Sequence, residues 1–198
     1  HKSDVKDAQW IAECMLKELV RGSFVPPERI QQLRQYDRRI FDLDDEINRK
    51  LSKLDAALQR CNIRLSNYVS NTDSKSYKEV VARISEGITD PKVLVEEIHG
   101  RIINRHGRKT IIAALTGVIT QADSDMMRQI REEIDIAERH KQECIDKMQE
   151  ICEKEYSDQL RNLQTIPGVK LRAATSLIAE IGIDMSHFET ANHLASWS

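Results

Sequence analysis

Two aspartates near the start of the chain have the spacing of a carboxylate pair that could bind a metal ion. Asp4 and Asp7 open a segment whose apolar residues recur at helical spacing. Residues three apart share a helix face, so both carboxylates would point in the same direction. Carboxylate oxygens are ligands that Mg²⁺ prefers, usually with several waters retained. The spacing also fits a second interpretation, in which both charges only complement the positive end of the helix dipole.

A Pro–Gly turn between two helical segments near the other end could contact nucleic-acid phosphates. The turn at 166–169 (Ile-Pro-Gly-Val) is similar to a helix-hairpin-helix element, in which glycine lets backbone N–H groups approach a phosphate. The stretch 159–179 holds three cations and no acidic residue, which favours phosphate contact. Lys170 stands where the familiar form has a second glycine, and a plain packing turn is the alternative. The candidate contacts are Thr165, Gly168, Lys170 and Arg172.

A basic stretch in the middle of the chain is a second candidate for nucleic-acid binding. Residues 99–109 hold four cations, two histidines and no acidic residue. These cations could clamp a nucleic-acid backbone, and a solvated loop is the alternative. The four candidates are Arg101, Arg105, Arg108 and Lys109. No Ser-His-Asp arrangement, phosphate loop or Gly-rich dinucleotide motif is present.

The composition predicts an all-α fold. Of the 198 residues, 31% are charged and 5% are aromatic, a balance typical of long, solvated helices. Seven glycines and four prolines are too few for the many turns of a β-sandwich or barrel. The net charge of −2 means that nucleic-acid binding must come from local patches. No apolar run approaches the ~20 residues of a membrane span, so we expect no membrane partner. The four cysteines show no framework spacing, which indicates a reduced protein.

Two heptad patterns predict a long antiparallel coiled coil. The first runs from Glu28 to about Asn62, and the second from about Gln121 to Tyr156. In the first, one row is Leu33, Ile40, Ile47, Leu54 and Cys61, and the other is Ile30, Asp37, Asp44, Leu51 and Leu58. In the second, the rows are Met127, Ile134, Lys141 and Met148, and Ile130, Ala137, Cys144 and Ile151. The polar residues in these rows favour register control or a partner chain, so we expect a homodimer or higher oligomer.

Shorter segments complete the predicted organisation. A helix over 4–21 is ended by Gly22 and followed by an extended connector with two prolines. Between the long helices, three short ones form a small helical knob at one end of the coil. They run from Ser74 or Ser76 to Glu86, from a cap at Thr89 or Asp90 to about His99, and from about Arg108 to Ile119. The predicted domains are 1–22, 23–159 with a helical insertion at about 66–119, and 160–198 with the hairpin-like module.

Three stretches together resemble the transposases of the insertion-sequence 110/116/902 family (the Piv/MooV group). Residues 2–8 (Lys-Ser-Asp-Val-Lys-Asp-Ala) resemble the segment that ends the RuvC-like domain of these enzymes. Residues 23–27 (Ser-Phe-Val-Pro-Pro) resemble the entry to their coiled coil. Residues 163–169 and 193–197, the latter ending in Ala-Ser-Trp, are similar to the start of their C-terminal domain.

The resemblance implies an enzyme that cuts and rejoins DNA strands with four acidic residues that bind Mg²⁺, in the order Asp, Glu, Asp, Asp. Asp4 and Asp7 match the last two, which makes them candidate catalytic metal ligands. The first two acids would lie upstream of His1, and the family's proposed serine nucleophile would lie beyond Ser198, so Ser196 and Ser198 are not assigned that role. We therefore expect an inactive central fragment of a DNA transposase, with the acidic pair and the hairpin held apart by the coil.

The implied partners are DNA, as element ends and target, and a guide RNA, which several family members use. The implied location is the prokaryotic cytoplasm, at the nucleoid. A non-catalytic coiled-coil oligomerisation module with a DNA-docking hairpin is the main alternative. A Holliday-junction-type nuclease, which shares the acidic site but moves no element, is a weaker one.

Overall fold

The chain forms an elongated arrangement of helices. This structure is a computed structural model, and it describes residues 3–19 and 25–197. In that part of the chain there are ten α-helices, three single 3₁₀ turns and no strand, which confirms the all-α prediction. Lys2, Gly22, Ser23, Phe24 and Ser198, which figure in the sequence analysis, lie outside the described residues.

The helices follow one another with short connections. They are α1 Asp4–Leu16, α2 Glu28–Arg60, α3 Lys75–Ser85, α4 Pro91–Leu94, α5 Gly100–His106, α6 Arg108–Leu115, α7 Gln121–Glu155, α8 Ser157–Gln164, α9 Leu171–Ile181 and α10 Ala191–Trp197. The 3₁₀ turns are Leu65–Asn67, Val95–Glu97 and Met185–His187.

The two longest helices pack side by side in opposite directions and form what we call the stalk. α2 has 33 residues and α7 has 35, which at ~1.5 Å per residue gives a length of about 50 Å. Ion pairs between Arg29 and Glu155 (2.8 Å) and between Lys50 and Glu133 (2.6 Å) show the antiparallel direction. Thr120 and Asp123 cap the start of α7 reciprocally and satisfy backbone N–H groups that the helix leaves unpaired.

Heptad positions largely agree with the residues buried in the stalk. All five residues of the first row on α2 are buried, from Leu33 to Cys61. Near the end of α7 the buried residues no longer fall on the heptad positions, because Cys152 rather than Ile151 is fully buried. An α-helix has 3.6 residues per turn, so a strict seven-residue pattern drifts around it. The last turns of α7 also contact α9, which draws the buried face towards that helix.

The polar residues of the stalk find partners within the chain. Lys141 on α7 forms an ion pair with Asp44 on α2. Asp37 on α2 forms an ion pair with Arg172 on α9, with 2.8 Å between the charged atoms. Because both acidic interruptions of the α2 pattern are satisfied in this way, they no longer require a partner chain. The oligomeric state remains a prediction.

The knob, residues 66–119, lies at the far end of the stalk. Its core includes Tyr77, Ile84 and Ile111, which pack with Leu58 of α2. The stretch 99–109 is not one loop, because α5 runs through most of it. The helix predicted from about Asp90 to His99 is shorter, with α4 passing into a 3₁₀ turn.

Gly117 closes the knob onto the end of α2. A Cβ atom at this position would lie 2.1 Å from the carbonyl oxygen of Cys61 and 2.9 Å from a side-chain carbon of Ile63. The next residue, Val118, donates its N–H to the same Cys61 carbonyl at 2.9 Å. Only glycine allows so close an approach of two backbone segments.

Helix α1 has no buried residue. It ends at Leu16, earlier than the predicted position 21, and Leu19 beyond it is exposed. Helix α9, in contrast, packs on α2, α7 and α8. Among the described helices, none is both long enough and apolar enough to cross a membrane.

Candidate functional site

The first turn of α1 presents its two carboxylates side by side. Ser3 caps the helix by accepting a hydrogen bond from the Lys6 N–H at 3.4 Å. Asp4 is exposed and Asp7 is partly exposed. Within the described residues, neither carboxylate takes part in a salt bridge or a side-chain hydrogen bond. Both remain available to a ligand from outside the chain.

The donors fit Mg²⁺ in type but not in number. Carboxylate oxygens are suitable ligands, and two on neighbouring helix positions can hold one side of an ion. Among the described residues there is no group of three or more His, Cys, Asp or Glu side chains that could hold a metal. A stable site at Asp4 and Asp7 therefore requires further ligands.

The face that carries Asp4 continues along α1 as an uncovered apolar stripe. Ala8, Ile11 and Met15 follow Asp4 at spacings of three and four residues, which places them on one face. Ile11 and Met15 are exposed, as is Leu16 next to them. Contiguous exposed apolar surface of this kind marks a contact region. The acidic pair thus lies at one end of a surface that is suited to packing.

The predicted hairpin has the geometry of a tight turn between α8 and α9. Gly168 has a φ of +88°, a backbone conformation that favours glycine, and the space where its Cβ would lie is open. The N–H of Val169 donates to the Ile166 carbonyl at 3.0 Å and closes the turn. The Thr165 hydroxyl donates to the Asn162 carbonyl at 2.8 Å, so its proton is already used.

Several backbone donors of the turn have no partner among the described residues. In the described residues, the N–H groups of Gly168 and Lys170 have no acceptor. The first N–H groups of α9 have no acceptor in the preceding turn, as at any helix start. The Lys170 ammonium is exposed and forms no ion pair with a described residue. This combination of backbone donors and one cation can bind an anion such as a phosphate.

Arg172 differs from Lys170 because its charge is already paired. Its guanidinium donates to the Asp37 carboxylate at 2.8 Å and to the Ser176 hydroxyl at 2.6 Å. The Ser176 hydroxyl in turn donates to the same Asp37 oxygen at 2.9 Å. Arg172 therefore faces the stalk, whereas Lys170 is exposed at the turn.

The four cations of the 99–109 stretch fall into two groups. Arg101 and Arg105 lie one turn apart on α5, exposed and without an ion-pair partner in the described chain, and Lys109 on α6 is likewise exposed. Arg108 instead pairs with Glu96. The two histidines have structural contacts. His99 caps α5, because its Nδ1 accepts a hydrogen bond from the backbone N–H of Arg101 at 3.2 Å. The ring of His106 packs edge-on against Tyr68.

The stalk separates the two candidate nucleic-acid regions, whereas the connector before α2 lies beside the hairpin module. The core beside α9 includes Ile30 and Leu33 at the start of α2, whereas the knob packs on the end of α2. The connector residues Val25 and Pro26 line a cleft together with residues 181–183, at the end of α9. The antiparallel stalk therefore returns the chain to the start of α2, beside the connector. That the coil holds the acidic pair of α1 apart from the hairpin stays a prediction.

Sequence reasoning missed one group of residues that the structure brings together. Arg34 of α2 donates to the carbonyl oxygens of Ala179 (3.0 Å) and Glu180 (2.6 Å) at the end of α9. Asp37, one turn further along α2, holds Arg172 and Ser176. The only signal in the sequence was the acidic residue at a heptad position, which did not identify its partner.

Two family models match parts of the chain. A transposase model, of the DEDD type of IS110, matches residues 1–63, and the model of the transposase IS116/IS110/IS902 family matches residues 160–198. The first match contains α1 and α2, and the second contains the end of α8 together with α9 and α10. Residues 64–159, with the knob and α7, lie between the two matches. No curated protein and no solved structure matches the chain.

Proposed function

Since the chain belongs to the IS116/IS110/IS902 family of transposases, we propose that it is the central part of an insertion-sequence transposase that cleaves and transfers DNA strands. Three regions carry this proposal: the acidic pair of α1, the turn before α9 and the stalk between them. The single observation that supports it best is that Asp4 and Asp7, inside one matched segment, are adjacent, accessible and unpaired.

In this proposal Asp4 and Asp7 are two of the ligands of a Mg²⁺ site. Their carboxylates hold the ion on one side, and carboxylates from another part of the protein complete the site. Mg²⁺ bound there would stabilise the negative charge that develops on the attacked phosphate and on the leaving oxygen. Since two carboxylates alone hold Mg²⁺ weakly, the chain by itself is inactive.

The apolar stripe of α1 supports the assignment of residues 1–22 to a nuclease domain. The stripe begins beside Asp4 and runs through Ile11 and Met15, all of them uncovered. A RuvC-like domain packed on this face would bury the stripe and bring its own acidic residues next to Asp4. The remainder of the protein then supplies both the missing core and the missing ligands.

The turn before α9 is proposed to contact the DNA backbone. The N–H groups of Gly168 and Lys170 lack acceptors in the described chain, and the ammonium of Lys170 adds a charge that attracts phosphate. Thr165 contributes a hydroxyl oxygen at the edge of the turn. Such contacts fix the position of DNA without reading its sequence.

The exposed cations of the knob are proposed as a second contact with a nucleic-acid backbone. Arg101, Arg105 and Lys109 have no ion-pair partner among the described residues, and Arg108 would join them if it left Glu96. The length of the stalk separates them from the turn, so a single extended nucleic acid or a second one, such as a guide RNA, could occupy them.

The stalk is proposed to be a coiled coil that also joins copies of the protein into a dimer. Heptad spacing and the antiparallel packing of α2 and α7 support the coil. Because the polar seam residues are paired internally, a second copy would use an outer face of the stalk.

DNA as substrate would place the protein in the prokaryotic cytoplasm, at the nucleoid.

Strand cleavage by the intact transposase tests the proposal. Asp4→Asn and Asp7→Asn each keep the side-chain shape and remove the charge, so both should abolish Mg²⁺-dependent cleavage of element ends. Glu13→Gln is the matched control, because Glu13 is an exposed acid on the same helix and its one ion pair with a described residue is a long surface contact with Lys17. Cleavage at the wild-type rate in both aspartate variants would exclude the metal-ligand role.

A non-catalytic oligomerisation module with a DNA-docking hairpin remains the alternative function. It requires only the stalk and the turn. It predicts DNA binding that depends on Lys170 together with no cleavage by the intact protein under any divalent metal.

A further inference from the structure

The attachment of the hairpin to the stalk carries an inference about how the turn is presented. We propose that Asp37 and Arg34 are positioning residues that hold α9 on the stalk at a fixed angle, and that Arg172 belongs to this attachment and not to the nucleic-acid interface. The inference rests on the proposed function only where it concerns DNA contact by the turn.

The first point of attachment is a closed set of three polar groups. Arg172 and Ser176 lie one turn apart on α9, and both donate to the same oxygen of Asp37 at 2.8 and 2.9 Å. Arg172 also donates to the Ser176 hydroxyl at 2.6 Å. The Asp37 side chain is 27% exposed, so water screens this ion pair less than a fully exposed one.

The second point of attachment is at the other end of α9. Arg34 donates to two carbonyl oxygens there, those of Ala179 and Glu180. The last carbonyls of a helix lack partners and carry partial negative charge, so a cation placed there is favourable. Asp37 and Arg34 thus hold the first and the last turns of the same helix.

The apolar part of this contact cannot fix the angle by shape alone. The buried face of α9 is made of Ala174, Thr175, Ile178 and Ala179, of which only Ile178 is large. Small residues allow close approach but offer few interlocking shapes. Two polar contacts near opposite ends of α9 define both its position and its direction.

The turn depends on the Asp37 contact most directly. Arg172 is the second residue of α9, and Lys170 immediately precedes the helix. Holding the Arg172 guanidinium on the stalk therefore fixes the end of α9 from which the free N–H groups and Lys170 project. Release of this contact would leave the turn intact but free to reorient.

Binding of duplex DNA to this chain at several salt concentrations tests the inference. The affinity falls as salt rises, and loss of one phosphate-binding cation makes the slope of log affinity against log salt shallower by about 0.9. We expect this result for Lys170→Gln. We expect Arg172→Gln and Asp37→Asn each to weaken binding about fivefold through lost positioning, with the salt slope unchanged. The double variant should show no further loss of affinity. The charge exchange Asp37→Arg with Arg172→Asp should restore affinity. Asp42→Asn, an exposed acid on α2 without a partner in the described chain, is the control.

A direct phosphate contact by Arg172 gives the opposite results. Arg172→Gln would then lower the salt slope, Asp37→Asn would tighten binding by freeing the guanidinium, and the exchanged pair would not recover. Any of these three results overturns the inference.

Amide hydrogen exchange separates the inference from the proposed DNA contact. Asp37→Asn should speed exchange across 171–181 in the absence of DNA, with residues 43–54 of the stalk unchanged. If Lys170→Gln leaves DNA binding unaltered, the proposed contact fails, while this exchange result still decides the attachment. Unchanged exchange in α9 excludes the positioning role. If Asp37→Asn fails to fold, Ser176→Ala, which removes one member of the same set, gives the same readout.

Discussion

Helices α1 and α9 are alike in sequence character but opposite in their surroundings. They have 13 and 11 residues, both are amphipathic, and each lies in a segment that matches a transposase family model. α9 buries Ala174, Thr175, Ile178 and Ala179 against the stalk. α1 buries nothing, and its Leu16 side chain is 85% exposed.

The contrast between α1 and α9 shows how much of a helix's packing an apolar pattern specifies. Periodicity identifies the face of a helix that will be covered, but not the group that covers it. For α9 the cover is the start of α2 and the end of α7. For α1 no described residue provides it, which agrees with the proposal that a nuclease domain does.

Thiol reactivity should show the largest contrast between the two regions. Cys14 on α1 is partly exposed, whereas Cys152 of the stalk is fully buried and its pKa is raised by burial to about 11. Each pKa unit lowers the thiolate fraction about tenfold at neutral pH. Cys152 should therefore react with a maleimide at least about a hundredfold more slowly than Cys14, as measured by mass spectrometry of labelled peptides. Equal rates would mean that the stalk opens readily.

Truncation of one leucine in each region tests the same contrast through stability. Leu33→Ala removes a side chain with no exposure from the core beside α9 and should lower the free energy of unfolding by about 3 to 4 kcal/mol. Leu16→Ala on α1 should change it by less than about 0.5 kcal/mol. Urea unfolding followed by circular dichroism measures both. A comparable loss from Leu16→Ala would show that α1 packs within this chain after all.

Gly117 extends the test to the knob. Gly117→Ala forces a Cβ against the Cys61 carbonyl and should cost about 2 to 3 kcal/mol, because two backbone segments must separate. Gly100→Ala is the matched control, since its Cβ would meet nothing within 4 Å. If both variants unfold at the same urea concentration, the close approach at Gly117 does not exist in solution.

The ion pair across the stalk should have the smallest effect. Lys141→Met removes the partner of Asp44, and both side chains are about a third or more exposed. The expected loss is about 0.5 kcal/mol, and it should shrink at high salt because the pair is screened. Lys154→Met, at an exposed position without an ion-pair partner in the described chain, is the reference. A loss of several kcal/mol would mean that this pair is a main source of stability rather than of register.

Local patterns predicted the elements of the fold better than the contacts between them. Heptad spacing identified the buried row from Leu33 to Cys61. Pro91 correctly marked the start of α4, and of the two predicted caps, Thr89 and Asp90, it is Asp90 that caps the helix. Helix α5 was missed because Gly100 and a run of cations resemble a loop. It forms because His99 caps it and its apolar residues pack on the knob core.

In the candidate site, too, local sequence predicted single features better than contacts between distant residues. The exposed pair on α1 and the positive φ of Gly168 follow from local sequence. The pairing of Arg172 does not, because Asp37 lies 135 residues away and only the folded stalk brings the two together. Charge alone could not distinguish Arg172 from Lys170, its neighbour in the same basic stretch.

The claim that the first-turn carboxylates of α1 are metal ligands can be measured without reference to catalysis. Fe²⁺ placed in the proposed Mg²⁺ site of the intact protein, with ascorbate and peroxide, would cut the polypeptide beside the ion. If Asp4 and Asp7 bind the ion, we expect cuts next to them that excess Mg²⁺ suppresses and that disappear in the Asp4→Asn, Asp7→Asn double variant. Cuts that persist in that variant, or a wild-type protein that is never cut near α1, would contradict it.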